Sequence, residues 1–237
     1  MKTIKHDINM YNSDMFYEQE NIIMMQRYID YILQYSNTHN NFLELGIGRG
    51  ETIRLLQKHF DSITVIDGET QLIDKYTKKY NDIEFIHSFF ENYKPKQKFD
   101  NIGMGFILDL VDSPTNLLQM YSNFLSKKGK IFISIENALS LHRIIAHEAG
   151  LLPNLNSLSE SNKKFGHKVY YGYDKWVKII QEANLKIIAE HGLFLKPFST
   201  KQINMLNLDP SIYNALSTTA KKFPQISNAC FFVVEKQ

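Results

Sequence analysis

The stretch "NNFLELGIGRGETIRLL", residues 40–56, sets a short apolar run, Phe42 to Leu45, against glycines at alternate positions, Gly46, Gly48 and Gly50, and a helical pattern follows at once. Glycines after a first strand let the backbone approach a ligand closely and present amides at a helix N-terminus. A dinucleotide fingerprint, G-x-G-x-x-G, would need glycine at 51, where Glu51 stands; the spacing is instead Glu44-x-Gly46-x-Gly48-x-Gly50. An acid two places before the first glycine suits a ligand with an ammonium group. A second acid, Asp67, closes the next apolar run, at a position where a carboxylate can take both hydroxyls of a ribose.

Outward from that turn the chain alternates. Residues 16–35 place Ile22, Met25, Ile29 and Ile32 on one stripe, predicting an amphipathic helix ahead of the strand "FLEL". The helix "ETIRLLQKHF", the strand "SITVID", the helix "TQLIDKYTKKY", the strand "IEFIH" and the strand "FDNIGMGFI" follow in order. "SPTNLLQMYSNFL" starts with Ser113 and Pro114 in cap and first-turn positions, and Gly129 is expected to close a turn before the strand "KIFISI". A helix over 174–184 and two last strands, "LKIIAEHGLFL" and "ACFFVVE", complete a pattern that predicts a doubly wound, Rossmann-like α/β sheet. Two pieces exceed what a minimal α/β unit needs, 137–173 and 196–228. Long connections of this kind are lids or binding loops, so acceptor contacts are expected there.

Bulk properties narrow the partners. A chain of 237 residues, 43% hydrophobic, is the size of one α/β domain, so 1–237 reads as a single domain. A formal charge of +2 gives no broad footprint for nucleic acid or anionic lipid. No window approaches the ~18 apolar residues of a membrane span, and the start lacks the apolar core of a signal peptide. The single cysteine, Cys230, lies in an apolar run and reads as core, which fits a reducing, cytoplasmic setting. No metal-ligand spacing is visible; "HEAGL" misses the H-E-x-x-H pattern because Leu151 stands in place of the second histidine.

"FLELGIGRG" resembles the first motif of the class I S-adenosylmethionine-dependent methyltransferases, "ITVIDGETQLI" their second-strand motif, and residues 98–143 their fourth-strand to fifth-strand block. The resemblance covers nearly the whole chain. It implies a seven-stranded sheet with an antiparallel last strand, S-adenosylmethionine as donor and S-adenosylhomocysteine as product. By the same analogy Glu44, Leu45, Gly46 and Gly48 lie along the methionine portion, Asp67 and Gly68 at the ribose, and Ser88, Phe89 and Phe90 beside the adenine. Gly105 and Phe106 complete the donor side. Many relatives have an aspartate near position 89, so stacking on Phe89 and Phe90 replaces a side-chain hydrogen bond in this expectation.

"NALSLHRIIAHEAGLL", "FGHKVYYGYDKW" and "GLFLKPFSTKQ" resemble a subgroup that acts on sugars, often nucleotide-linked ones destined for surface polysaccharides. That subgroup reads M-G-H-x-L-E-H-V where this chain has "MGFILDLV", so Phe106, Asp109 and Leu110 replace His, Glu and His. The acid-base work is then expected from His142 or His167, since histidine titrates near neutral pH, with Asp109 as an orienting or basic carboxylate. Arg143 is the first candidate for an acceptor phosphate, ahead of Lys163, Lys164 and Lys168, and Tyr170 and Tyr171 are candidates for an acceptor wall. Three classes of function stay open: O-methylation of a sugar or small phosphorylated metabolite, N-methylation of an amino sugar or other amine, and a catalytically silent cofactor-binding protein.

Overall fold

Period-two alternation in the apolar strands decides how this chain folds, because it gives each strand two buried faces. In the computed structural model, which describes residues 19–237, Leu43 and Leu45 of β1 (Asn41–Leu45) face one side of the sheet and Phe42 the other. The remaining strands are β2 (Ser62–Asp67), β3 (Ile83–His87), β4 (Phe99–Gly105), β5 (Leu125–Glu136), β6 (Leu185–Gly192) and β7 (Ala229–Lys236). They form one sheet in the order β3-β2-β1-β4-β5-β7-β6, parallel except for β7. The first expected helix is α1 (Gln19–Tyr35), and residues 16–18 lie outside the described part of the chain.

Helices cover both faces, as buried parallel strands require. On one face lie α1, α2 (Glu51–Leu56) and α3 (Thr70–Thr77), contributing Tyr28, Ile32, Ile53 and Leu72 to a core that includes Phe42, Val65 and Phe231. On the other lie α4 (Pro114–Ser122) and α7 (Tyr173–Glu182), whose Leu118 and Trp176 pack on Leu43, Ile102 and Ile133. Each such side chain stabilises the fold by about 1.5–3 kcal/mol relative to exposure. Ser113 caps α4 by accepting from the Asn116 N–H, with Pro114 next. Cys230 is buried in β7 and its thiol donates to the Pro224 carbonyl at 3.2 Å.

Two details differ from the sequence expectation. The apolar stripe of α1 is centred on Met24, Tyr28 and Ile32, while Ile22 is 53% exposed, because the helix meets β7 along its aromatic positions and turns Ile22 to solvent. Gly129 does not precede β5 but lies within it, at an irregularity in register where a Cβ would stand 2.7 Å from the Phe99 carbonyl oxygen.

The 137–172 connection carries α5 (Leu141–Glu148) and α6 (Glu160–Lys164) between β5 and α7. The later long piece carries α8 (Thr200–Met205) and α9 (Pro210–Ala220). No helix among the described residues is long and apolar enough to cross a membrane.

Candidate active site

Four parallel strands end at one edge of the sheet, and their order, β2-β1-β4-β5, brings Asp67, the glycine turn, the residues after Gly105 and Glu136 side by side. Ligands of open α/β sheets bind at that edge, where the strand order reverses.

The donor half is built from the turn after β1. Gly46, Gly48 and Gly50 have φ of 86°, 52° and 75°, values that a side chain disfavours. Among the described residues nothing lies within 4 Å of the place where a side chain on Gly48 would begin, so they leave the backbone open to a ligand there. Asp67 ties this turn to the start of α3: one oxygen accepts from Ile47 N–H and the other from Glu69 N–H, both at 2.8 Å. Phe89, 50% exposed, lies across Gly68, whose added Cβ would meet its ring at 3.0 Å. Phe90 is half-buried against the core, with its ring tip 3.8 Å from where a Gly46 Cβ would be. Ser88 N–H donates to the Asp67 carbonyl, which holds the 88–90 turn against β2. Leu45 is in the core, so only its backbone faces the turn. Gly105 lies against Tyr28.

Glu44 is buried beneath the same turn. Its carboxyl contacts the Tyr28 hydroxyl at 3.5 Å and the Thr52 side chain, and Gly103 is needed beside it, since a Cβ there would lie 1.9 Å from Glu44 Oε2. Burial pushes its pKa up to about 8, against the lowering effect of the two hydroxyl partners.

The acceptor half is built from long-range contacts. Phe106 leaves β4 with φ 56°, in the left-handed region, and its N–H donates to the Ser134 carbonyl of β5. That turn buries Asp109, which is 1% exposed. His167, in the connection before α7, places Nδ1 2.7 Å from Asp109 Oδ2, and Lys168 N–H donates to the Asp109 carbonyl. Among the described residues Asp109 Oδ1 has no hydrogen-bond partner. Glu136, the last residue of β5, accepts from Asn162 Nδ2 at 2.9 Å and from Tyr170. A single ligand atom each from Asp109, Glu136 and His167 lies within 4.8 Å of the others. The sequence shows no metal-ligand spacing, yet the fold gathers a His and two carboxylates of the type that could hold an ion.

Electrostatics separate the two histidines. Burial alone would lower the His167 pKa, but the hydrogen bond and charge of Asp109 and the charge of Glu136 outweigh it, and the net shift is upward. Glu136 is itself raised, first by burial and then by Asp109. His142, on α5, is pushed down to about 3 by burial and by the positive charges of Lys196 and Arg143, and its Nδ1 is buried without a hydrogen-bond partner among the described residues. It stays neutral and is a weak base.

Other expected acceptor residues serve the connection itself. Arg143 donates to the carbonyls of Leu155 and Ser157 and lies 4.5 Å over the Tyr170 ring, so it braces residues 155–157 and does not present its guanidinium to a phosphate. Lys163 pairs with Glu160 and Lys168 with Asp112. Tyr171 packs edge-on to Trp176, whose indole donates to its carbonyl. The sequence reading missed Glu136 and Asn162. An acid at a C-terminal strand end had already singled out Glu44 and Asp67, and the same signal applies to Glu136; Asn162 has no sequence signal.

Residues 17–190 match the family model described as a methyltransferase domain. The chain belongs to this family. Its fold matches solved structures at low identity. A putative methyltransferase of Haloferax volcanii, solved with the Trm112 methyltransferase activator, is 10% identical with a TM-score of 0.67 over 98% of this chain and 99% of that one. An S-adenosylmethionine-dependent methyltransferase of Clostridium acetobutylicum is 12% identical, TM-score 0.63, over 96% of each chain. The N-methyltransferase NodS of Bradyrhizobium japonicum, in complex with S-adenosylhomocysteine, is 14% identical, TM-score 0.59, over 92% and 88%. No curated protein matches the sequence. The protein is thus a class I S-adenosylmethionine-dependent methyltransferase.

Proposed function

We propose that this methyltransferase acts on a hydroxyl group of a small-molecule acceptor, with His167 as general base. S-adenosylmethionine supplies a methyl group already activated on a sulfonium, so the protein's task is to place the acceptor and remove one proton. Positioning can contribute ~7–11 kcal/mol, and a base adds about 10²–10⁴-fold. The observation that carries the reading is the 2.7 Å contact from His167 Nδ1 to Asp109 Oδ2, beside the donor turn in sheet order. A proton on Nδ1 held by Asp109 leaves Nε2 as the lone-pair nitrogen, the arrangement that lets a histidine accept a hydroxyl proton.

On the donor side, Gly46 and Gly48 would let the methionine portion lie on the backbone, Asp67 would take the ribose hydroxyls and Phe89 would cover the adenine. The resemblance to sugar-acting relatives makes sugar hydroxyls the first acceptors to try. Of the basic residues expected at a phosphate, Arg143, Lys163 and Lys168 are engaged within the protein, which makes unphosphorylated acceptors the first to try.

A pH profile of methyl transfer from labelled donor tests the base. Because His167 must be deprotonated and its pKa is raised in the free protein, kcat/KM should increase with pH through a midpoint above the ordinary histidine value of about 6.5. A profile that is flat from pH 5 to 9, or one unchanged in H167Q, would remove His167 from the role.

A further inference from the structure

The acid groups at the acceptor edge outnumber the cations that answer them. Asp109 and Glu136 bring a carboxylate oxygen each within 4.8 Å of the other and of the His167 ring. Asp109 is 1% exposed, and Oδ1 of this same carboxylate has no hydrogen-bond partner among the described residues. A buried carboxylate oxygen left without a donor is costly, so a site that holds one is completed by a ligand that donates to it.

The cations close in the fold do not complete it. Lys196 is buried, but its ammonium is spent on Glu20 Oε1 at 2.5 Å and Thr200 Oγ1 at 2.6 Å. Arg143 is held by Leu155 and Ser157, and Lys168 by Asp112. Among the described residues, the hydrogen bonds to Glu136 come from neutral donors, the Asn162 amide and the Tyr170 hydroxyl. His167 is shared between both acids.

We propose that the acceptor carries an ammonium group that seats between Asp109 and Glu136 and donates to Asp109 Oδ1 and the Glu136 carboxylate. The inference rests on the hydroxyl reading above and names its substrate class, small amino alcohols, of which amino sugars are one kind. It also explains how two acids so near the base are tolerated. Facing them alone, His167 holds its proton more tightly than a base should; a bound cation offsets their charge and leaves Nε2 free when the acceptor arrives. Glu136 is then a specificity-determining residue, and Asp109 serves both the base and the acceptor.

The test is calorimetric titration of the full chain, saturated with S-adenosylhomocysteine, with matched pairs of probes: glucosamine against glucose, and 2-aminocyclohexanol against cyclohexane-1,2-diol. The ammonium member of at least one pair should bind roughly tenfold or more tightly, the size of a charge-assisted hydrogen bond. In E136Q that preference should vanish while affinity for S-adenosylhomocysteine stays unchanged, which also shows that the variant is folded. Equal binding within both pairs, or none by any probe, overturns the proposal. Manganese(II) chloride is the further arm: binding by the wild type that E136Q loses would make the cluster a metal site and would equally overturn it. Mass spectrometry of any turned-over probe keeps the two readings apart. A methyl group found on nitrogen, with the binding preference intact, would refute the hydroxyl reading and leave the ammonium seat standing.

Discussion

The donor half and the acceptor half of this site lie a few strands apart and are built by opposite means. Around the glycine turn, every functional group comes from a strand end or the turn that follows it, and the fixing contacts are backbone ones: Asp67 holds Ile47 N–H and Glu69 N–H. Around Asp109, the groups come from the turn after β4, the end of β5 and the 137–172 connection, and the fixing contacts are between side chains far apart in sequence, His167 to Asp109 and Asn162 to Glu136. The first half can be assembled by any chain with the right strand ends. The second exists only once the connection has folded over the sheet, which makes it the place where acceptor choice can change without disturbing donor binding.

The contrast between the two histidines gives the largest expected effect. H167Q should lower turnover by ~10²–10⁴-fold with donor affinity nearly unchanged, because the loss falls on the transition state. H142Q should keep turnover within a few-fold, since a histidine held down at about 3 has little proton affinity to lose. Initial rates at saturating donor decide this. A large loss in H142Q with near-normal H167Q would invert the assignment.

Stability against pH sharpens the comparison, because the halves titrate with opposite sign. Glu44 has a folded pKa of about 8 against an ordinary 4.5, so between those values the native state keeps a proton that the unfolded chain has lost, and stability falls as pH rises. The slope approaches about 1.4 kcal/mol per pH unit at its steepest. His142 does the reverse. Its folded pKa of about 3 lies below the ordinary 6.5, so its contribution is present above 6.5 and is lost as pH falls toward 3. Urea unfolding of the ligand-free protein should show E44Q lacking the first slope and H142Q lacking the second. Wild-type and E44Q curves that run parallel from pH 5 to 8 would show that Glu44 is not held protonated.

For the donor half itself, D67A should weaken binding of S-adenosylmethionine by about 1–3 kcal/mol, the cost of removing hydrogen bonds to a charged group. Calorimetry measures it directly, and NAD should give no heat with either protein. A D67A variant that binds the donor normally would mean that Asp67 serves only to tie the turn to α3.

What the sequence made legible follows the same division. Strand alternation, the glycine spacing and acids at strand ends are local signals, and they led to the doubly wound sheet and the donor turn. His167 and Asp109 could be singled out as residue types, but nothing in a linear reading puts position 167 within 2.7 Å of position 109. The same blindness made Arg143 look like a phosphate ligand: an arginine beside a histidine in a lid carries no sign that backbone carbonyls twelve and fourteen residues on will claim it. The α1 stripe held at Ile29 and Ile32, which are buried, and missed at Ile22 for a related reason. Its buried face is set by Phe231 and the rest of β7, to which Tyr28 and Tyr31 turn, and the aliphatic positions counted alone pointed elsewhere.

The smallest expected effect asks whether the connection is one unit with the acceptor site or a separate cover. Arg143 links three of its parts, since it starts from α5, bonds the Leu155 and Ser157 carbonyls and stacks on Tyr170, which in turn donates to Glu136. Replacing it by methionine keeps much of the apolar stem over Tyr170 and removes the donors, so the fold should persist while the two carbonyls lose their partner. Hydrogen exchange should then speed up at 152–159 and stay unchanged at 44–50. If bracing by Arg143 sets the position of Tyr170, the acceptor KM should rise by roughly five- to tenfold, about 1–1.4 kcal/mol, with kcat and donor affinity little altered. Faster exchange with no change in KM would separate the brace from the site, and the connection would then act as a cover whose order the acceptor does not feel.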